Sequence, residues 1–79
     1  MMLNLYGMRI RPAELGTIPK EGFLGKVKYD TLEEYNKENN TTFLDLVVYN
    51  RELSEKEVKD YQMNNLGQIS EELFKDIRY

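Results

Sequence analysis

The sequence contains neither cysteine nor histidine, and it has no tryptophan. Without cysteine the chain cannot form disulfides, use a thiol nucleophile or build a cysteine-ligated zinc site. Without histidine it lacks the usual Ser-His and Cys-His pairs and the side chain best suited to proton transfer near neutral pH. The sequence therefore predicts a protein that is not an enzyme and that uses no metal and no cofactor.

Long apolar runs are also missing, since none approaches the roughly 20 residues that cross a bilayer. In residues 1–11 the charges follow the apolar residues, which is the reverse of the order in a signal peptide. We therefore expect a cytoplasmic protein. Its 79 residues fit one domain with a small core, with residues 2–67 as the core and residues 69–79 as a C-terminal helical tail.

The net charge is unevenly distributed along the chain. Residues 1–29 carry five basic and two acidic side chains, a net charge of +3, whereas residues 30–79 carry six basic and twelve acidic ones, a net charge of −6. The sequence pI of about 4.9 argues against a general nucleic-acid-binding domain, which is normally basic.

The first predicted strand covers residues 2–11, and its apolar positions change parity after Gly7. Glycine inside a strand often marks a bulge. A bulge near Gly7 would bring four apolar side chains onto one buried face: Leu3, Leu5, Met8 and Ile10. Pro12 is expected to end this strand, because proline lacks the backbone donor that a ladder needs.

Two further strands are predicted. Residues 23–29 alternate as a half-exposed antiparallel strand does, and residues 43–49 are apolar on both parities except at Asp45, which favours a central strand. Residues 12–22 form a long loop with proline and glycine, either a connector or a binding surface. A fourth short strand in that loop stays open.

Three helices are predicted from their caps. Thr31 with Glu34, and Ser54 with Glu57, have the capping-box spacing. The first helix would run to about residue 39, and the second, from 55 to 66, would end at Gly67 and bury a stripe of Val58, Tyr61 and Leu66. A last short helix over residues 71–78 would be capped by Ser70.

These elements indicate an α+β fold: a small antiparallel sheet of three strands, or four with the open alternative, with one main helix packed on one face and two short helices. The predicted helices carry most of the acidic residues. Repeated carboxylates on exposed helices can imitate a phosphate backbone and occupy a basic nucleic-acid channel. The candidate residues for such a partner-binding surface are Glu33, Glu34, Glu38, Glu55, Glu57, Asp60, Glu71 and Glu72.

An alternative surface would lie on the exposed face of the N-terminal strands. Tyrosine and arginine dominate interface hot spots, and lysine and arginine bind phosphates. The residues of this basic and aromatic face would be Tyr6, Arg9, Arg11, Lys26 and Lys28.

The chain resembles short uncharacterised proteins of Firmicutes phages, plasmids and other mobile elements over roughly residues 3–67. The resemblance is carried by Tyr6-Gly7-Met8-Arg9-x-Arg11, Gly16, Pro19, Asp45-x-x-Val48-Tyr49-Asn50-Arg51-x-Leu53-Ser54-x-x-Glu57-Val58-x-x-Tyr61 and Leu66-Gly67. It implies an accessory protein of a mobile element, and small inhibitors of host defence, anti-CRISPR proteins among them, are common in that setting.

The leading hypothesis is a non-catalytic protein that inhibits a host defence or nucleic-acid-handling complex, such as a CRISPR effector, through its acidic helices. The alternative is a small nucleic-acid-binding module that uses the basic face. A third is a regulatory subunit that docks onto a partner protein. No membrane partner is expected, and the oligomeric state stays open.

Overall fold

A computed structural model describes residues 2–11, 13–14 and 16–79. Pro12, the predicted end of the first strand, lies outside the described residues, and that strand already ends at Met8. The elements in chain order are β1 (Met2–Met8), β2 (Phe23–Lys26), α1 (Tyr29–Glu38), β3 (Asp45–Tyr49), α2 (Glu55–Asp60), β4 (Met63–Ser70) and α3 (Glu71–Ile77). The fold is α+β, as predicted, with four strands in the sheet.

The four strands form one antiparallel sheet in the order β2-β3-β1-β4. The predicted central position of the 43–49 segment is confirmed, because β3 lies between β2 and β1 and all five of its residues are buried. β1 is the other central strand, with Leu5 opposite Val48 and Met8 opposite Asp45.

Both faces of the sheet are covered. One, here called the helix face, packs against α1 and α3 through a core of Leu3, Leu5, Val27, Leu32, Phe43, Leu46, Val48 and Phe74. The other, here called the loop face, packs against the loop before β2 and the segment around α2 through a core of Tyr6, Met8, Ala13, Ile18, Val47, Tyr49, Leu53 and Met63.

This two-sided burial corrects the prediction for the first strand. Leu3 and Leu5 lie on the helix face, Met8 lies on the loop face, and Ile10 is 66% exposed. The change of parity needs no bulge at Gly7, because a strand buried on both faces accepts apolar residues at both parities. The bulge in this pairing lies on β4, where two residues, one of them Gly67, stand opposite Leu5.

The predicted helix over residues 55–66 is wrong in its second half. Its start is confirmed: Ser54 and Glu57 form the capping box, with the Glu57 amide donating to the Ser54 hydroxyl at 3.1 Å. α2 ends after six residues, and Gln62 has φ of +54°. The chain then turns into β4, which was not predicted and which pairs with β1.

The predicted stripe of that helix is therefore divided between two cores. Val58 and Tyr61 pack on the loop face, whereas Leu66 packs on the helix face. Pairing with β1 outweighs the local helical spacing, since asparagine, which occupies 64 and 65, and glycine are weak helix formers. The described residues of the loop before β2 form no strand, so the fourth strand is β4 and not the alternative in that loop.

The other helices differ from prediction mainly at their starts. α1 begins at Tyr29, with Lys28 as an N-cap that makes no side-chain cap bond, so the predicted Thr31 capping box does not form. Leu32 is buried. α3 has the predicted Ser70 cap, with the Leu73 amide donating to its hydroxyl at 3.1 Å, and it buries Phe74.

β2 is shorter than predicted because residues 27–29 leave the strand for α1. The outer edge of this segment is covered by the last residue of α3 and the two residues that follow it. The Tyr79 amide donates to the Lys26 carbonyl and the Lys28 amide to the Ile77 carbonyl, each at 2.8 Å, and Val27 forms a bridge with Arg78.

Candidate functional site

Helices α1 and α3 adjoin on the helix face. Each buries one large side chain in the same core, Leu32 from α1 and Phe74 from α3. Their outward sides carry exposed carboxylates, here called the acidic face: Asp30, Glu33, Glu34, Glu38, Glu72 and Asp76. The core contacts therefore bring two segments about 40 residues apart in sequence into one charged surface.

The two helices that form the acidic face carry a large net negative charge. α1 and α3 together carry a net charge of −5, against −3 for the whole protein. Within the part of the chain that the structure describes, none of the three ion pairs involves a residue of α1 or α3. The nearby Glu33 carboxylate interacts with the Tyr29 hydroxyl and raises the pKa of that phenol. The remaining carboxylates face solvent.

A groove of about 280 Å³ separates the two helices. It is lined by Thr31, Glu34, Tyr35, Glu38, Leu73 and Ile77. Glu34 and Glu38 are exposed, and Leu73 is 44% exposed. Carboxylates beside apolar surface can receive a lysine or arginine side chain, whose aliphatic stem covers the apolar part while its charged head meets the acid.

The other predicted acidic residues lie elsewhere. Glu57, on α2 and thus on the loop face, accepts two hydrogen bonds of 2.8 Å from the Arg51 guanidinium. These bonds, together with the cap contact to Ser54, lower the pKa of Glu57 to about 2. Asp60 pairs with Lys56 at 3.1 Å, and Glu55 is exposed. The carboxylates of α2 therefore do not continue the acidic face.

Glu71 is half-buried at the start of α3 and lines a different groove, of about 320 Å³, on the far side of that helix. The groove is lined by Leu3, Leu24, Asn50, Glu71, Phe74, Lys75 and Arg78. Lys75 and Arg78 offset the charge of Glu71 there. Of the eight predicted acidic residues, Glu33, Glu34, Glu38 and Glu72 belong to the acidic face.

The predicted basic face is dispersed by the fold. Tyr6 does not belong to any surface, because its side chain is fully buried and its hydroxyl accepts a hydrogen bond from the Leu53 amide at 2.9 Å. Lys26 forms an ion pair of 3.4 Å with the buried Asp45, and Lys28 is exposed at the start of α1.

Arg9 and Arg11 lie after β1. The residues that they contact were not part of the predicted basic and aromatic face. The Arg9 guanidinium stacks on the Phe43 ring at 4.6 Å and donates to the Thr41 hydroxyl at 3.1 Å. Arg9 also lines a groove of about 380 Å³, here called the cationic groove: Arg9, Ile10, Val58, Lys59, Gln62, Met63 and Asn64. Arg11 donates to the Gln62 side chain at 3.3 Å.

No sequence pattern indicates that Lys59, Gln62 and Asn64 line a common groove. Lys59 was predicted on a helix that continued through Gln62 and Asn64, so their shared position depends on the turn into β4. Leu73 and Ile77 line the groove between α1 and α3, and nothing in the sequence indicates that α1 lies beside them.

Two classes of site are absent from the described ranges. No group of three or more acidic side chains among these residues could hold a metal ion. None of the helices described is long and apolar enough to cross a membrane.

Comparison with known proteins gives one match. A family model described as "Defence against restriction A C-terminal" matches residues 1–68. Searches among curated proteins and among solved structures found no match. The matched family is associated with phages and mobile elements, which confirms that part of the resemblance seen in the sequence; the match does not test the residue pattern quoted for it.

Proposed function

This chain belongs to the defence against restriction A C-terminal family, and from that premise we propose that it binds a DNA-handling protein of host defence and inhibits it without catalysis. Membership indicates an accessory protein of the anti-restriction type, made by a phage or mobile element. The proposal adds the mechanism: the acidic face occupies the basic surface on which the defence protein holds DNA.

The observation that carries this mechanism is the position of the acidic face. Its six carboxylates stand on two helices that the core fixes beside each other, and no ion pair of the described residues offsets them. A DNA-binding cleft attracts such a surface by the same electrostatic force that attracts phosphates, and the attraction weakens as salt rises.

The groove between α1 and α3 adds a second contribution. A basic side chain of the partner that meets Glu34 or Glu38 can also cover Leu73, so that the contact removes apolar surface from water. Part of the binding free energy would then come from this apolar contact, and salt would not screen that part. The partner proposed first is a restriction enzyme, as the family name indicates, and a CRISPR effector offers the same basic nucleic-acid channel.

The experiment measures DNA cleavage by a purified host restriction enzyme with increasing amounts of this protein. Wild type should inhibit cleavage and compete with labelled DNA, more weakly at higher salt. A triple variant of the acidic face, Glu34→Lys with Glu38→Lys and Glu72→Lys, should lose at least tenfold in inhibition. The same assay with a CRISPR effector distinguishes the two classes of partner.

A matched control changes the same number of charges on the opposite side of the sheet. Glu52→Lys with Glu55→Lys and Asp60→Lys should inhibit as well as wild type, because these residues lie outside the acidic face. Circular dichroism should show both variants folded. Full inhibition by the acidic-face variant, or equal loss in both variants, would rule the mechanism out.

The cationic groove supports a second candidate function, direct binding of nucleic acid. Arg9 and Lys59 supply positive charge, Gln62 and Asn64 supply hydrogen bonds, and no carboxylate is among the lining residues. In a gel-shift assay this candidate requires a shifted band for wild type that Arg9→Glu with Lys59→Glu abolishes and that Lys28→Glu with Lys37→Glu leaves unchanged. No shift for wild type would leave the acidic face as the functional surface.

A further inference from the structure

The two outer edges of the sheet differ in whether the chain covers them. Beyond β2, residues 77–79 pair with residues 26–28 through two backbone hydrogen bonds of 2.8 Å and the Val27–Arg78 bridge. α3 reaches this position by leaving the end of β4 and crossing the helix face. The chain thus covers the edge at Lys26, the last residue of β2, and at the two residues after it with its own backbone.

No segment of the described residues covers the β4 edge in this way. Among the described residues, the backbone of β4 makes no backbone hydrogen bond to a segment other than β1 and the helix that follows it. The Gly67 amide donates to the Asn65 side chain at 2.9 Å. In an edge strand about half of the backbone groups point away from the sheet, so an eight-residue strand presents an open row of donors and acceptors.

Residues 61–70 also contain no charged side chain, although charged residues make up 32% of the chain. Exposed edges in monomeric proteins are usually protected by charges, prolines or bulges. Here only the bulge at Gly67 is present. The open edge of β4 is therefore available to another strand.

We infer that β4 pairs antiparallel with β4 of a second copy of this chain, joining two sheets into one of eight strands. A two-fold interface must be complementary to itself. Asn64, Asn65 and Gln68 satisfy this condition, because an amide side chain both donates and accepts hydrogen bonds. An edge rich in carboxylates would instead bring like charges together.

The half-exposed apolar residues of β4 also support pairing with a second copy of the chain. Leu66 and Ile69 pack against the helix-face core but keep part of their surface in water. A neighbouring β4 would cover that surface. The two-fold axis of such a pair is perpendicular to the sheet, so the helix faces of both copies lie on the same side.

The test is the mass of the purified protein in solution, measured by light scattering and sedimentation across a wide range of concentration. We expect a species of twice 9.4 kDa that dissociates on dilution. Gln68→Lys, at an exposed position of β4, should weaken the association at least tenfold, because it places repelling charges at the joint. Thr42→Lys adds the same charge at an exposed position outside β4 and should leave the association unchanged.

A second measurement does not depend on any variant. Amide hydrogen exchange of wild type should slow within residues 63–70 as the protein concentration rises, while exchange within β3 stays constant. A monomer at every concentration overturns the inference, because the edge would then be open or reserved for a strand of another protein. A dimer that Gln68→Lys does not weaken, or whose β4 amides show no dependence on concentration, overturns it as well. Neither result would bear on inhibition by the acidic face.

Discussion

The charged groups on the two faces of the sheet are used in different ways. On the loop face, Asp45 accepts from the Ala13 amide at 2.7 Å and Arg51 donates to the Glu21 carbonyl at 2.9 Å, so both fix the protein's own backbone. The Tyr49 hydroxyl does the same by donating to the Pro19 carbonyl at 2.6 Å. Burial raises the pKa of Tyr49 well above its usual value. On the helix face the charged groups of α1 and α3 form no ion pair among the described residues.

This difference follows from what covers each face. A loop has few hydrogen bonds of its own, so side chains must satisfy its buried backbone groups. A helix satisfies its backbone internally and needs only an apolar stripe toward the core. Its outward side chains are therefore free to carry charge for another purpose, and this is why the acidic face is on the helix side.

The largest expected change in the free energy of unfolding comes from the core of the helix face, where α3 has a buried apolar side and an exposed outward side. Phe74→Ala should lower the free energy of unfolding by about 3–5 kcal/mol, because it leaves a cavity beneath α3. The neighbouring Leu73→Ala, at a residue 44% exposed, should change it by about 0.5 kcal/mol or less. Urea denaturation measures both. Equal values would mean that residues 71–77 behave as a detachable tail.

A smaller change in stability should distinguish a tyrosine hydroxyl on the loop face from one on the helix face. Tyr6→Phe removes the acceptor of the Leu53 amide at a buried site and should lower the free energy of unfolding by about 1–3 kcal/mol. Tyr35→Phe is the matched control on the helix face, where the hydroxyl makes no hydrogen bond to a described residue, and its effect should stay within about 0.5 kcal/mol. Thermal and urea denaturation measure both variants. A larger loss of stability for Tyr35→Phe than for Tyr6→Phe would contradict this prediction.

The smallest effect is a pH dependence on the loop face. The folded pKa of Glu57, about 2, lies below the ordinary value of 4.5, so the unfolded chain takes up this proton first as pH falls. The contribution of Glu57 to stability is therefore complete above about pH 4.5 and is lost as pH falls toward 2. Glu57→Gln should destabilise the protein at pH 7, and its difference from wild type should shrink across that window.

The control for this prediction is Glu55→Gln, which removes a charge from the same helix without breaking an ion pair. Urea denaturation at a series of pH values gives the free energy of unfolding for each protein. A difference between wild type and Glu57→Gln that stays constant from pH 5 to pH 2 would contradict the role of the Arg51 contact.

The parts of the fold that sequence predicts well are those set by neighbouring residues. The caps at Ser54 and Ser70 and the apolar run of β3 depend on contacts within a few positions, and all three are confirmed. β4 could not be found in this way. Its strand conformation depends on β1, about 60 residues earlier, and the spacing of Val58, Tyr61 and Leu66 favours a helix locally.

The acidic face shows the same limit for function. The sequence places carboxylates on helices, and this alone identified Glu33, Glu34, Glu38 and Glu72. It cannot tell that α1 and α3 adjoin while α2 lies across the sheet, because that arrangement depends on which core each helix enters. The error with Tyr6 has the same origin, since a strand with two covered faces leaves no side for an exposed tyrosine.

The position of β1 has a consequence for how the chain folds as it is synthesised. β1 is synthesised before its two partners in the sheet, β3 and β4, which follow about 40 and 60 residues later. Until β3 and β4 have been synthesised, the almost wholly apolar β1 has no hydrogen-bonding partners. The long loops that must close before β1 can pair with them also slow folding. The nascent chain should therefore depend on chaperones, or on rapid translation of residues 45–70, to avoid aggregating through β1.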